Sequence, residues 1–429
     1  MSTRGPDTAS EQGDRVFRVA WTLFIGVHLS LSLPLWSRVG VDFLEPSHPL
    51  FLLLSIVSLG LVVAALARPD DLRVFALLLV TWSATKLDAL PWIPNHILLA
   101  LLVNGALLFA LAFAWRRGLP HEGLIAHVAR PLRGALLVLY FWVVVHKLNR
   151  DFFDPSVSCA VTLYREMREI YPRLPSSGLI EHATIWGTLV IEALVPLLLL
   201  TRRLALWGML LGLSFHGLLA LHGNSMIMSF STEVYALYTV FLSRADLARL
   251  GVALRAFSAR PWAPRALHVL ALLGALGLVA TLVRIALGPR HEDGGLWLEF
   301  YSGYVRRVWF CAVVALVGLL VRALRAPRVP EGEHAAALPL VPRATLLGLL
   351  PVLAFCNGLA PYLGGKTATN FAMFSNLRVE GASTNHLFLP SGLLGTEYQT
   401  DLAHVLASSD PELGGFVERG DAPTWFELR

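Results

Sequence analysis

About eleven apolar stretches of roughly 16–22 residues recur along this chain, each close to the length an α-helix needs to cross a bilayer. They run near Phe17–Trp36, Leu50–Ala67, Leu72–Leu87, Asn95–Trp115, Leu132–Lys147, His182–Leu200, Leu204–Leu221, Ser225–Leu242, Ala266–Leu287, Val308–Ala323 and Ala344–Leu363. Backbone inside lipid must satisfy its own N–H and C=O groups, so such stretches are helices. The expected fold is an all-α polytopic membrane protein of about 11 transmembrane helices. Residues 1–14 are expected to be disordered and 15–363 to form the membrane domain. Residues 364–429 are expected to form a small extracytoplasmic α+β tail. The lipid bilayer is the first partner this implies.

Composition agrees: 55% of the residues are hydrophobic and 15% charged, which excludes an ordinary soluble domain. The net charge of +5 and pI near 9.3 do not point to nucleic acid, because the arginines are distributed as topology markers. Arg116, Arg117, Arg130 and Arg133 fall in one loop, Arg202 and Arg203 in a second. Arg244, Arg249, Arg255, Arg260 and Arg265 fall in a third, and Arg322, Arg325, Arg328 and Arg343 in a fourth. These loops alternate with others, which puts them on the cytoplasmic side of a multi-pass protein of the cell inner membrane. The N-terminus is then cytoplasmic and the tail extracytoplasmic. Arg290, Arg306 and Arg307 depart from the pattern. The first span has no small-residue cleavage site after it and reads as retained. Cys159, Cys311 and Cys356 form neither a CxxC nor a disulfide framework.

Between the fifth and sixth spans, Val161, Tyr164, Met167 and Tyr171 recur at helical spacing among Arg165, Glu166, Arg168 and Glu169. This predicts an amphipathic helix over 157–171 lying on the membrane face and stopped by Pro172. In the tail, residues 375–381 and 386–390 read as two short strands around a Gly-Ala-Ser-Thr turn, and 401–408 as a short helix.

Polar residues inside apolar runs are the candidate site, since an intramembrane charge is expensive unless it pairs or works. Lys147 closes the fifth span and either snorkels to the headgroups or acts in a site. His96 opens the fourth span. Glu192 lies about ten residues, hence roughly 15 Å, from the outer end of the sixth, and needs a partner. His216 sits in the seventh span, His222 in the turn after it, and Asn385 and His386 in the tail. All favour the outer leaflet. His216 and His222 are six apart, about 120° around a helix, so they share no face and no metal site is expected. No GxSxG, P-loop or HExxH motif occurs.

The run His146-Lys147-Leu148-Asn149-Arg150-Asp151-Phe152 resembles the Lys-Lys-Leu-Asp-x-Asp-Trp segment of the vitamin K-dependent gamma-carboxylases, members of the horizontally transferred transmembrane domain (HTTM) superfamily. Asn95-His96 is similar to the family's Asn-Asn-His-Ser-Tyr, and the span of Glu192 to its Leu-Asp-Leu-Ser span. Phe215-His216 is similar to its Tyr-Phe-His, and Thr369–Ser375 to its Tyr-Gly-Tyr-Ser-Trp-Asp-Met stretch. The order of all five agrees. The resemblance covers roughly 15–243 and 344–390. It implies that Lys147 is a base, with His96 assisting it, toward a reduced quinone whose reaction with oxygen drives carboxylation of a peptide side chain. It implies quinone or substrate binding at Glu192, His216, His222, Asn385 and His386, and no metal. This chain departs from the family in three respects. The large lumenal domain is absent, His146 replaces the first lysine, and two spans are extra.

Two functions follow. One is a quinone-dependent, carboxylase-like membrane enzyme acting on a secreted or membrane peptide. The other is a non-catalytic membrane factor that matures or assembles a secreted partner, its polar residues holding helices together.

Overall fold

The computed structural model describes residues 9–36, 49–87, 93–117, 124–222, 224–265, 294–327, 345–366, 369–379, 384–394, 402–404 and 425–427, and scattered positions over 268–279. The described backbone is overwhelmingly α-helical. In chain order the helices are α1 (Ala9–Trp36), α2 (Pro49–Ala67), α3 (Leu72–Leu87), α4 (Asn95–Arg117), α5 (Leu124–His146), α6 (Arg150–Phe153) and α7 (Cys159–Ile170). They continue with α8 (Gly178–Leu200), α9 (Ala205–Leu219), α10 (Ser225–Tyr238), α11 (Arg244–Ser258), α12 (Gly294–Arg325) and α13 (Leu349–Leu363).

Six helical segments are long and apolar enough to cross a membrane: Asn95–Arg117, His127–His146, Gly178–Leu200, Ala205–His222, Gly303–Arg325 and Leu346–Leu363. A seventh arises if α10 and α11, bent by 119° at a short break, count as one broken span. This is a multi-pass membrane protein with fewer spans than the eleven expected. Length explains much of the difference. The 16 residues of α3 extend about 24 Å and the 14 of α10 about 21 Å, both short of a hydrocarbon core of about 30 Å. Such runs are as apolar as a span but too short for one. Conversely, the expected short span Val308–Ala323 belongs to the 32-residue α12. The expected span Ala266–Leu287 lies largely outside the described residues. Residues 9–14, expected to be disordered, form the start of α1, where Asp14 is buried.

The chain divides into two compact units. The first comprises Met1–Pro91, Ala100–Leu136 and Leu194–Leu350. Within it α2 and α3 form a hairpin, α1 packs along α10, and α12 packs on α9 and α11. A capping box at Ser243, whose hydroxyl accepts the Asp246 N–H while the Asp246 carboxylate takes the Ser243 N–H, starts α11 directly after the bend. Arg249 donates to the Leu324 and Ala326 carbonyls, satisfying acceptors at the end of α12.

The second unit comprises Trp92–Leu99, Leu137–Ala193 and Pro351–Arg429. Its apolar centre is Phe152, Ala160, Val161, Ile185 and Leu189, with Val144, Leu148 and Phe153 against it. The amphipathic helix forms as expected, as α7, with Ala160 and Val161 inward. The two expected tail strands do not form. Residues 376–379 are irregular, and His386 makes one isolated antiparallel bridge, to Asn149. The helix expected over 401–408 is likewise replaced, where described, by a strand: Leu402–His404 pairs antiparallel with Trp425–Glu427.

Candidate active site

The second unit builds a polar cluster around the end of α5. The helix closes with tightened turns, Lys147 N–H to Val144 C=O and Leu148 N–H to Val145 C=O. A lysine in helical conformation projects toward the helix N-terminus. The Lys147 side chain accordingly folds back, and its Nζ lies 3.4 Å from the Val143 carbonyl oxygen. It does not run outward as a snorkelling lysine would, and it is only 3% exposed.

Its counter-ion is Glu192. Nζ donates to Oε1 at 3.2 Å and lies 3.0 Å from Oε2. The second distance is within ion-pair range but lacks hydrogen-bond geometry, so Oε2 has no hydrogen-bond donor among the described residues. The Phe152 ring lies beside the ammonium, 5.9 Å from its centroid. Pro196, four residues on from Glu192, has no N–H to give the Glu192 carbonyl, which loosens α8 at this point. Glu192 was expected about 15 Å deeper than Lys147; instead the two touch. The lysine reaches back a turn, and α8 starts at Gly178, with its first turn tied to α7 by the Arg165–Glu181 pair at 2.8 Å.

His146, the neighbour of Lys147, lies in an aromatic column. Its ring stacks on Trp142 (5.2 Å between centroids) and Tyr362 (5.5 Å), and Trp142 packs on Phe355 (5.1 Å). Gly358 makes room for the indole: a side chain there would overlap Trp142. A carbonyl only accepts, so the neutral His146 ring donates Nε2–H to Asn370 C=O at 3.1 Å. Its Nδ1 then accepts the Tyr362 hydroxyl at 2.8 Å.

Asn149 is the hub. It is fully buried and N-caps α6, its Oδ1 accepting the Phe152 N–H at 2.9 Å. Its Nδ2 donates to the His146 and Ser375 carbonyls, and Asn385 Nδ2 reaches its Oδ1. Asn385 also accepts the Arg378 N–H and donates to the Asn376 carbonyl. Asn376 in turn accepts the Cys159 N–H, capping α7 from the tail. The segment making these contacts holds Thr369, Phe371, Phe374 and Asn376 at φ between 47° and 68°, a region costly for non-glycine residues. Phe371 is kept there by full burial and by its N–H donating to Asn95 Oδ1. That bond joins the start of α4 to the loop whose Asn370 carbonyl holds His146.

His96 is buried in the first turn of α4, next to Asn95, in the same unit as Lys147 and Glu192. Asn385 and His386 share that unit too, with their polar atoms engaged in holding the tail to α5. His216 and His222 belong to the first unit, on α9 and the following 3₁₀ turn. Sequence reading singled out Lys147, His96, Glu192 and His386 but missed Asn149, Tyr362 and Asn370. For Asn149 a signal existed, an amide flanked by apolar residues just past a helix end.

His386 yields a test. Its Nε2–H donates to the Val145 carbonyl at 2.9 Å, and its Nδ1 accepts the N–H groups of Leu389 (3.0 Å) and Phe388 (3.3 Å). Burial holds its pKa below the ordinary histidine value, against the Val145 bond, which raises it. Protonation would turn Nδ1 into a donor facing two donors. With the folded value below the unfolded value of about 6.5, the unfolded state binds more protons between the two. Stability from this group is therefore complete above about pH 6.5 and is lost as pH falls through the folded value. Hydrogen exchange at the Leu389 amide, corrected for its intrinsic pH dependence, should show protection falling in that window. A His386→Asn variant should show no such step.

Comparison with family models, with curated proteins and with solved structures finds no match to this chain.

Proposed function

We propose that this chain is a membrane-embedded, HTTM-like enzyme in which Lys147 serves as the base toward a lipid-soluble quinol in a carboxylase-like reaction on a secreted or membrane peptide. The observation that supports this reading best is the Lys147–Glu192 pair, two charges buried at contact distance with one carboxylate oxygen lacking a hydrogen bond. An amine becomes a base only after it gives up a proton, and Glu192 is the acceptor at hand. One proton moving from Nζ to Oε1 leaves a free amine and a neutral acid, and two neutral groups cost less to bury than two ions. Glu192 then holds that proton while Lys147 accepts another, and Phe152 and the ends of α5 and α8 keep water away.

The residues fit a quinol in one checkable respect. Glu192 Oε2 lacks a donor, and a phenolic O–H is a donor. Lys147, Glu192 and His96 are the residues that would hold such a ring. When bound, a reduced quinone supplies oxygen-reactive chemistry that side chains lack. The alternating arginine-rich loops support a cytoplasmic N-terminus and an extracytoplasmic tail in the cell inner membrane. Cysteine probes at 118 and in the tail check this: a tail labelled only from the cytoplasm reverses the orientation.

One observation favours the second reading, a non-catalytic maturation factor: Lys147 and Glu192 neutralise each other, as a purely structural pair would. Lys147→Arg separates the two readings. Arginine preserves the ion pair but does not deprotonate. The assay supplies membranes containing the protein with a reduced naphthoquinone and labelled bicarbonate, and measures label fixed in protein. The enzyme reading expects fixation by the wild type, loss in Lys147→Arg at equal membrane abundance, and stoichiometric quinone in lipid extracted from purified protein. Undiminished fixation in Lys147→Arg, or none by the wild type, leaves the structural factor.

A further inference from the structure

The first unit contains a buried acid that the Lys147 chemistry does not use. Helix α10 presents two different faces. Ser231 Oγ donates to the His216 carbonyl (3.2 Å) and the Tyr235 hydroxyl to the Leu213 carbonyl (2.8 Å), so the 231/235 stripe faces α9. Ser229 and Glu233 form another stripe, one turn apart and two residues out of phase with the first. That stripe faces α1, since Ser229 Oγ lies 2.8 Å from His28 Nδ1. Glu233 is fully buried, and neither carboxyl oxygen has a hydrogen-bond partner among the described residues. The Trp82 indole meets the His28 ring edge-on at 5.5 Å, and its buried N–H also lacks an acceptor. Unsatisfied polar atoms gathered around one histidine call for an explanation, and bound protons or water are the usual one.

The charge inventory narrows the choice. Within α10 Glu233 is the sole ionisable carboxyl, and α9 has neither lysine nor arginine. His216 lies on α9 and His222 on the 3₁₀ turn that follows it. On α1, Arg18 is ten residues from His28 and bonds to Pro69 C=O and to Asp70. Lys86 sits over the Trp82 ring. Thus no cation pairs with Glu233 among the described residues, and an ionised carboxylate held dry and unpaired is far costlier than a neutral acid.

We propose that Glu233 is a proton-binding site in the seam between α1 and α10, carrying one proton in the resting protein, with His28 as the base on the facing helix. The bound proton lets the seam stay dry. Its loss places an unpaired charge there and loosens α1 from α10. The site belongs to a different unit from Lys147, so it stands or falls separately from the enzyme reading.

Infrared difference spectroscopy of purified wild type against Glu233→Gln tests this. The expected result is one protonated-carboxyl C=O band present in the wild type and missing in the variant. The band should persist from about pH 5 to pH 9, well above the range in which an ordinary glutamate is protonated. Should Glu233→Gln fail to accumulate, Glu233→Asp shifts the band instead of removing it. Wild-type thermal stability should fall at alkaline pH, while that of Glu233→Gln stays flat. A difference spectrum with only an ionised-carboxylate band, or a band that vanishes in the ordinary glutamate range, overturns the proposal.

Discussion

Glu192→Leu is expected to destabilise the protein by about 3–5 kcal/mol, the usual cost of leaving one partner of a buried ion pair alone. The variant strands the Lys147 ammonium with only the Val143 carbonyl and the Phe152 ring for company. Lys147→Met alone should cost a similar amount by stranding the carboxylate. The double variant Lys147→Met/Glu192→Leu replaces both charges with apolar groups of similar size. It should recover most of the loss or exceed wild type, because the desolvation of both ions disappears with them. Thermal melts in one detergent, read as a double-mutant cycle, give the coupling. A strictly additive cycle would mean that the ions do not interact and would remove the observation on which the functional proposal leans. A stable but inactive double variant would show that the pair is retained for chemistry at the expense of stability.

Asn149→Ala should cost more than about 3 kcal/mol, since buried groups left unsatisfied cost about 1–3 kcal/mol each and several lose a partner here. The Phe152 N–H loses its acceptor, and the His146 and Ser375 carbonyls lose their donor. Asn149→Asp retains the Oδ1 cap but places an acceptor against two carbonyls, so it should be no better. Apart from unfolding, the expected signature is release of the tail. Cys159, whose N–H is held by Asn376, should become reactive to a thiol probe in Asn149→Ala. Unchanged stability and unchanged Cys159 reactivity would mean that the hub is dispensable.

The membrane-helical class was legible because apolar runs of this length have few other uses. The number of spans was not, because α3 and α10 are as apolar as spans yet too short, a difference of a few residues that hydropathy does not register. Lys147 and Glu192 stood out separately as charges in apolar surroundings. Their pairing was hidden because depth was counted from helix ends, while a side chain that folds back a turn and a helix that begins early both shift that count. The tail was misread in kind. Residues 375–381 alternate as a strand would, but their backbone hydrogen bonds go to Asn385 and to the α5–α6 junction rather than to a ladder. A loop held by left-handed residues leaves no periodic signature. Glu233 was overlooked for the opposite reason: one carboxyl in an apolar run reads as tolerable until its surroundings show that nothing neutralises it.

The Asn149 hub also sets an order of events during synthesis. Lys147 and Glu192 lie 45 positions apart and can meet soon after α8 is made, whereas Asn149 meets Ser375 and Asn385 across 226 and 236 positions. Until the last part of the chain emerges, the α5–α6 junction holds amide and carbonyl groups that only the tail satisfies, and the ribosome leaves it exposed over that interval. A ribosome that stops early therefore yields a membrane-inserted protein whose charged pair has formed but whose lid has not. Clearance of such a chain by membrane proteases is a quality check written into the distance between Asn149 and the tail.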